Sequence, residues 1–383
     1  MRNAVLLSSF FLLSFSLRSQ DSLYTRSVLR YLCSQDCYGR GYVKDGLHTA
    51  ETILVKELKK QQISPLFDGS YTQSFFHPVN TFPKSFEVTI NGKKLSPGVD
   101  FIPNAGNPSC KGKFKVQRID SLTFVNNEAN PPIHLLLKEK LTFTVAKKVT
   151  EVCELEIDRH RFTAIPLTIE INIQNKFVNE FESRNIGCKI KGSSPSDSMI
   201  VFTAHYDHLG GIGKKTFFPG ANDNASGVSM VLNLIRYYIE HPPKYNTVFV
   251  LFAGEEAGLL GSKFFVENPP FNLKKIKFLV NLDLLGTGDE GIMVVNGVVY
   301  EKEFALLGDI NSKAHLLPSI KKRGKAANSD HYWFSEAGVP CFFIYTMGGI
   351  KAYHDVYDVE KTLPLTKYMP LFQLITAFVC RLQ

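Results

Sequence analysis

Five short stretches of this sequence place histidine or carboxylate where a chain could build a metal site. His205-Tyr206-Asp207 follows the apolar run SMIVFTA, and Glu255-Glu256 follows TVFVLFAG. Asp283 ends IKFLVNLD, and His354-Asp355 follows PCFFIYTMGGIKAY. Asp223 lies in the glycine-bounded loop GANDNASG, Gly220 to Gly227. Imidazole and carboxylate together suit Zn²⁺, and Co²⁺ or Mn²⁺ could also bind. Asp207, Asp223, Glu255, Glu256 and Asp283 would repel one another in a single pocket. Two divalent ions would bring four positive charges to such a pocket and reverse that balance.

Each stretch alone has a plainer explanation. A lone His-x-Asp is more often a hydrogen-bonded surface pair, and Glu-Glu at a helix start complements the helix dipole. Asp283 could simply cap a strand end, and the two glycines could mark turns. Their ordered occurrence after successive apolar runs is what favours metal. His208, His331 and Asp355 lie near these stretches without an assigned ligand role, and Asp358 is a candidate for orienting His354.

The elements that must position them change texture along the chain. Residues 20–70 read as helical, with amphipathic periods at Ser22–Leu32 and Leu47–Gln62 around a glycine-bearing loop, CYGRGYVKDG. Residues 71–164 read as a smaller β-rich insertion or accessory domain. Alternating runs such as SFEVTING, KFKVQRI and LTFTVAKKV, together with NPPIHLLL, are its expected strands. Residues 165–383 alternate apolar runs (LTIEINI, SMIVFTA, TVFVLFA, IKFLVNLD, PCFFIY) with helices over 225–241, 258–267, 301–315 and 370–382. Near-continuous apolar strands between helices predict an α/β fold, a mostly parallel central sheet covered on both faces. In such sheets ligands bind beyond the carboxyl ends of the strands, where these polar residues fall.

Composition sets the broad class. The 383 residues, 44% hydrophobic and 21% charged, suit one large domain carrying a smaller one. A net charge of +8 with short basic clusters, Lys274-Lys275-Lys277 and Lys321-Lys322-Arg323-Lys325, argues against nucleic acid as a partner. Seven scattered cysteines form no disulfide framework. Residues 1–19 read as an export signal: Arg2 precedes an apolar and serine segment, Ala4 to Leu17, too short for a spanning helix. The expectation is an exported, periplasmic or secreted protein without a stable membrane anchor.

His205-Tyr-Asp207, the Gly220–Gly227 loop, Gly254-Glu255-Glu256, Asn281-Leu-Asp283 and Tyr353-His354 together resemble, in order, the motif series of family M28 zinc metallopeptidases, in an exported bacterial form. Ser329-Asp330-His331 and Glu336-Ala-Gly-Val-Pro340 also resemble the family's segment before the last ligand. The resemblance covers roughly residues 166–383. It implies two Zn²⁺ per chain, one held by His205 and Asp283, the other by Glu256 and His354, with Asp223 bridging. Asp207 would orient His205 by bonding its free ring nitrogen. Glu255 would be the general base, taking a proton from the attacking water and returning it to the leaving amine.

The activity so implied is hydrolysis of peptide substrates, foremost as an aminopeptidase. A carboxypeptidase on the same scaffold would need a cationic pocket, which the 321–325 cluster could supply. A glutaminyl cyclase-type acyltransferase would use one zinc, so keeping both His205 and Asp207 favours hydrolysis. A non-catalytic binding domain is expected to have lost ligands or base, and none is missing here. No G-x-S-x-G or H-E-x-x-H occurs, which disfavours serine-hydrolase and thermolysin-like routes. The oligomeric state is left open.

Overall fold

A computed structural model describes residues 22–382; the expected export signal, 1–19, lies outside the described residues. Four strands form the centre of a nine-stranded sheet: Asn246–Phe252, Met199–His205, Ile276–Leu282 and Cys341–Met347, adjacent in that order. All three pairings among them are parallel, so their carboxyl ends share one edge. Almost every residue in these strands is buried, which explains why they read as continuous apolar runs. Antiparallel strands extend the sheet on both sides. Lys176–Ile190 pairs with Asn246–Phe252 and with Thr72–Thr81, and Gly291–Val295 pairs with Cys341–Met347. The fold is α/β with a parallel centre, as the strand and helix alternation predicts.

Five helices are legible from their periodicity. They span Ser22–Leu32, Gly46–Lys60, Ser226–Glu240, Glu301–Ala314 and Tyr368–Leu382. The expected helix at 258–267 begins later, at Leu260, because Gly254 to Leu259 form the turn that carries Glu255 and Glu256. The last helix begins two residues before Pro370, so proline is its third residue and not its first.

A second apolar core, from Phe82 to Ile173 with Leu209, Ile212 and Phe218, is built on separate sheets of five and four strands. Two boundaries differ from the sequence expectation. Thr72–Thr81 belongs to the large sheet, whereas Thr168–Ile173 (the run LTIEINI) pairs with Phe86–Ile90 and Cys110–Lys115 in the smaller body. Alternation makes a strand recognisable but carries no information on its neighbour, and pairing partners are chosen by tertiary packing.

The run LTFTVAKKV, expected as a strand, forms none and makes only an isolated bridge from Ala146 to Asn80. The backbone of Phe143 donates its N–H to the carbonyl of His354 (2.9 Å), and its carbonyl lies 3.0 Å from His354 Nδ1. Those groups serve the neighbouring loop in place of a sheet ladder.

Candidate metal centre

His205 is the last residue of its strand, and Asp283 immediately follows Leu282. Glu255 and Glu256 occupy the turn after Asn246–Phe252, and His354 lies in the loop after Cys341–Met347. Parallel pairing thus sets these side chains along one rim. Asp223 joins them from the loop at the head of the Ser226–Glu240 helix. Gly220 makes this possible: its φ is +62°, and a Cβ there would collide with the Asp223 carbonyl and the His208 ring. A Cβ at Gly227 would meet the Leu282 carbonyl, so glycine lets the helix approach the strand that delivers Asp283. Both glycines do more than mark turns.

Asp223 sits at the middle. Its Oδ1 lies 3.3 Å from His205 Nε2, and its Oδ2 lies 3.1 Å from His354 Nε2. Asp283 Oδ1 is 3.4 Å from His205 Nε2, and Glu256 Oε2 is 3.2 Å from His354 Nε2. Donor atoms of His205, Asp223 and Asp283 lie within 4.8 Å of one another; so do those of His205, Glu255 and Glu256. All seven residues named from the sequence converge.

Three neighbours define how these groups are held. Ser329 Oγ donates to Asp283 Oδ2 (3.0 Å) and accepts from Asn281 Nδ2 (2.9 Å), whose Oδ1 accepts from Thr203 (2.7 Å). Asp207 departs from the expected role. His205 Nδ1 lies nearer the Asp207 backbone carbonyl (3.2 Å) than its carboxylate (3.7 Å). That carboxylate instead accepts the N–H groups of Glu255 (3.2 Å) and Glu256 (3.3 Å) and the Tyr42 hydroxyl (3.2 Å). It therefore fixes the Glu-Glu turn. Asp358 departs likewise: its carboxylate accepts from the amides of Asn222 (2.8 Å) and Asp223 (3.0 Å), not from His354.

Several contributors escape sequence reading. His208 is fully buried, with Nδ1 2.7 Å from Glu256 Oε1, and it forms a further donor group with Asp223 and Glu256. Its spacing from His205 is visible, but nothing in the sequence aims it at Glu256. Arg40, Tyr42 and Phe143 carry no signal. Their partners Tyr206, Asp207 and His354 lie 166, 165 and 211 positions away, and two of the three contacts engage backbone. Asp355 stays outside the cluster, accepting from Tyr353 and Tyr357 amides and pairing with Lys140. His331 packs against Phe343 (5.2 Å), and burial lowers its pKa to about 4.

The electrostatics are those of a compressed charge cluster. Burial pushes Glu255 well above the usual carboxylate range; His205 opposes this, while Glu256, Asp330 and Asp283 reinforce it. Glu256 falls to about 2, because His354 and His208 outweigh the burial and Asp223 that would raise it. His354 rises to about 11: burial would lower it, but Glu256 and Asp223 prevail. Burial raises Asp330 to about 7. Asp283 Oδ1 and His208 Nε2 are buried without a hydrogen-bond partner. Orphaned donor atoms beside a surplus of acids are what a cation would complete, so the residues fit divalent metal.

The rim opens into a cavity of about 190 Å³ lined by His205, Asp223, Glu255, Asp283 and His354, with Leu284, Asn328, Phe343, Tyr345 and Tyr353. Its lining sets apolar and aromatic surface beside the acids. The basic cluster at 321–325 lies apart from this lining: Lys322, on the edge strand Ile320–Arg323, pairs with Glu301, and Lys325, just beyond the strand, pairs with Glu336.

Comparison with known proteins agrees with this geometry. The aminopeptidase YwaD of Bacillus subtilis is 30% identical over 166 residues, which are 43% of this chain and 35% of that protein. The chain thus aligns with only about a third of that curated relative's length. Among solved structures, a zinc aminopeptidase from Bacillus subtilis superposes with a TM-score of 0.69 at 20% identity, covering 94% of both chains. A glutaminyl cyclase from an Acidobacteriales bacterium superposes with a TM-score of 0.56 at 14% identity, covering 100% of this chain and 99% of that one. At such identities these likenesses show the fold alone. Residues 185–379 match the model of peptidase family M28, a span holding all seven converging residues, and the chain belongs to that family.

Proposed function

We propose that this protein is a dinuclear zinc aminopeptidase that releases N-terminal residues from peptides. The observation that carries the reading is Asp223, whose two oxygens face two separate sets of donors, His205 with Asp283 and His354 with Glu256. His205, Asp223 and Asp283 would hold one ion, and His354, Glu256 and Asp223 the other. When bound, such ions polarise a carbonyl and make water more acidic.

The chain's own residues supply the rest. Glu255 points into the cavity from a turn fixed by Asp207, and its raised proton affinity suits a group that accepts a proton from water and passes it to a leaving amine. Leu284, Phe343, Tyr345 and Tyr353 would seat an apolar terminal side chain. A carboxypeptidase would require a cation beside the cavity, and its lining offers acids, imidazoles and aromatics, with Lys322 and Lys325 engaged elsewhere. The likeness to a glutaminyl cyclase makes cyclisation of N-terminal glutamine the reaction to test against hydrolysis. Export remains the expectation carried by residues 1–19.

The test is zinc content per chain together with a panel of free-amine peptides, N-blocked peptides and glutaminyl peptides. Two zinc ions with turnover confined to free-amine substrates is the expected result. Cleavage of blocked peptides at equal rates, or cyclisation without hydrolysis, would overturn the assignment. Glu255→Gln should keep its zinc and lose about 10²–10⁴-fold in kcat, the range for a general base.

A further inference from the structure

We propose that Arg40 is a positioning residue of the metal centre, holding the loops of His205 and Asp223 in fixed relation from outside the matched family region. The inference rests on the proposed zinc reading. Arg40 is fully buried, and its five N–H groups all donate to backbone carbonyls. Nε reaches Tyr206 (2.8 Å); Nη1 reaches Leu32 (3.0 Å) and Pro219 (2.6 Å); Nη2 reaches Gly220 (2.8 Å) and Asp223 (3.1 Å). A guanidinium has five donors in a rigid plane, so these carbonyls use every one of them.

The chain around Arg40 is tied to the same loops in return. The His208 amide donates to the Arg40 carbonyl (3.1 Å) and the Gly210 amide to the Gly39 carbonyl (2.9 Å). Arg40 adopts a left-handed φ of 48°, an uncommon conformation for a residue with a Cβ. Asp358 grips the opposite polarity of the Asp223 loop, accepting from the amides of Asn222 and Asp223. The loop is thus held at its carbonyls by a cation and at its amides by an anion. Asp223 must face both donor sets at once, so a small displacement of its backbone costs contact with each. Arg40 also brings a permanent positive charge behind a crowded group of acids.

Arg40→Lys keeps the charge but has at most three N–H donors, and Arg40→Ala removes both. Cobalt titration followed by electronic absorption reads the metal centre without relying on turnover. Wild-type protein should take up two Co²⁺. Arg40→Lys should bind about 10–100-fold more weakly, the effect typical of residues that orient ligands, and Arg40→Ala more weakly still. In both variants kcat should fall while KM stays within about threefold. Added guanidinium at low millimolar concentration should restore part of the cobalt spectrum in Arg40→Ala. Should Arg40→Ala fail to fold, Arg40→Lys, checked by circular dichroism, carries the measurement. Folded Arg40 variants with wild-type cobalt affinity and spectrum would overturn this inference alone. A wild-type chain that takes up no cobalt would overturn the metal reading and this inference with it.

Discussion

The two halves of the site are built differently. His205 and Asp283 stand at the ends of adjacent parallel strands; Thr203 and Asn281 bond to each other across those strands, and Ser329, from the loop before the His331–Glu336 helix, links Asn281 to Asp283. His354 and Glu256 stand on loops, and their supports arrive from remote segments. Phe143 of the smaller β body clamps His354 with its N–H on the His354 carbonyl and its carbonyl on the His354 ring, and His208 holds Glu256. Side-chain exposure follows the division: His205 retains 2% of its surface, His354 12%. Regular structure positions one half, and long-range loop packing positions the other. The second half should therefore be the easier to loosen.

The comparison can be broken most severely at the residue both halves share. Asp223→Asn should weaken both ions by more than the range of about 10–100-fold expected for a merely orienting residue. Metal analysis after dialysis checks this, and one ion surviving at full affinity would mean that Asp223 serves a single half.

Next in size is the response to pH. Burial opposes but the surrounding acids hold both His205 and His354 above their ordinary range, His354 up to about 11. On the proposed zinc reading, each ring would release a proton on binding metal. Zinc affinity should rise with pH, by about tenfold per unit for each proton displaced, and for His354 the gain should continue until pH passes about 11. Competition with a chelator at pH 6, 7 and 8 measures the slope. A flat profile would contradict the charge state assigned to both halves.

Weakening one support at a time sharpens the contrast. His208→Gln should cost the loop-held ion about 100-fold in affinity, and Ser329→Ala should cost the strand-held ion about 10-fold, the two ends of the range for residues behind a ligand. Equal losses in paired cobalt titrations would erase the distinction between strand and loop support. Tyr42→Phe is the mildest change, removing one hydroxyl from Asp207 while Glu255 and Glu256 still bind it. A loss of about 1 kcal/mol in stability is expected, with kcat nearly unchanged, as thermal unfolding and a turnover assay would register.

Much of the strand-held half is legible in the sequence. SMIVFTA-His205 and IKFLVNL-Asp283 each couple an apolar run to a polar terminus, and parallel pairing needs nothing further to bring those termini together. The loop-held half is legible only as residues. Gly220 can be read as a turn marker, but not as the one residue that allows the Asp223 carbonyl and His208 ring to pass so close. Residue type places Asp207 at the site without revealing its partner, because backbone amides 48 and 49 positions away leave no mark in the sequence. LTFTVAKKV has the alternation of a strand, yet its backbone groups are used by a histidine 211 residues on.

By itself, the sequence determined the period of each element, the order of the motifs and the edge of the sheet at which they emerge. Those properties are local, fixed by side-chain alternation, helical spacing and the direction shared by parallel strands. Tertiary structure alone decided which sheet Thr168–Ile173 would join, which atoms would orient each ligand, and that Arg40 would lie behind Asp223. The physical reason is that a backbone carbonyl or amide is the same in every residue, so its choice of partner is made by packing and remains invisible to residue type.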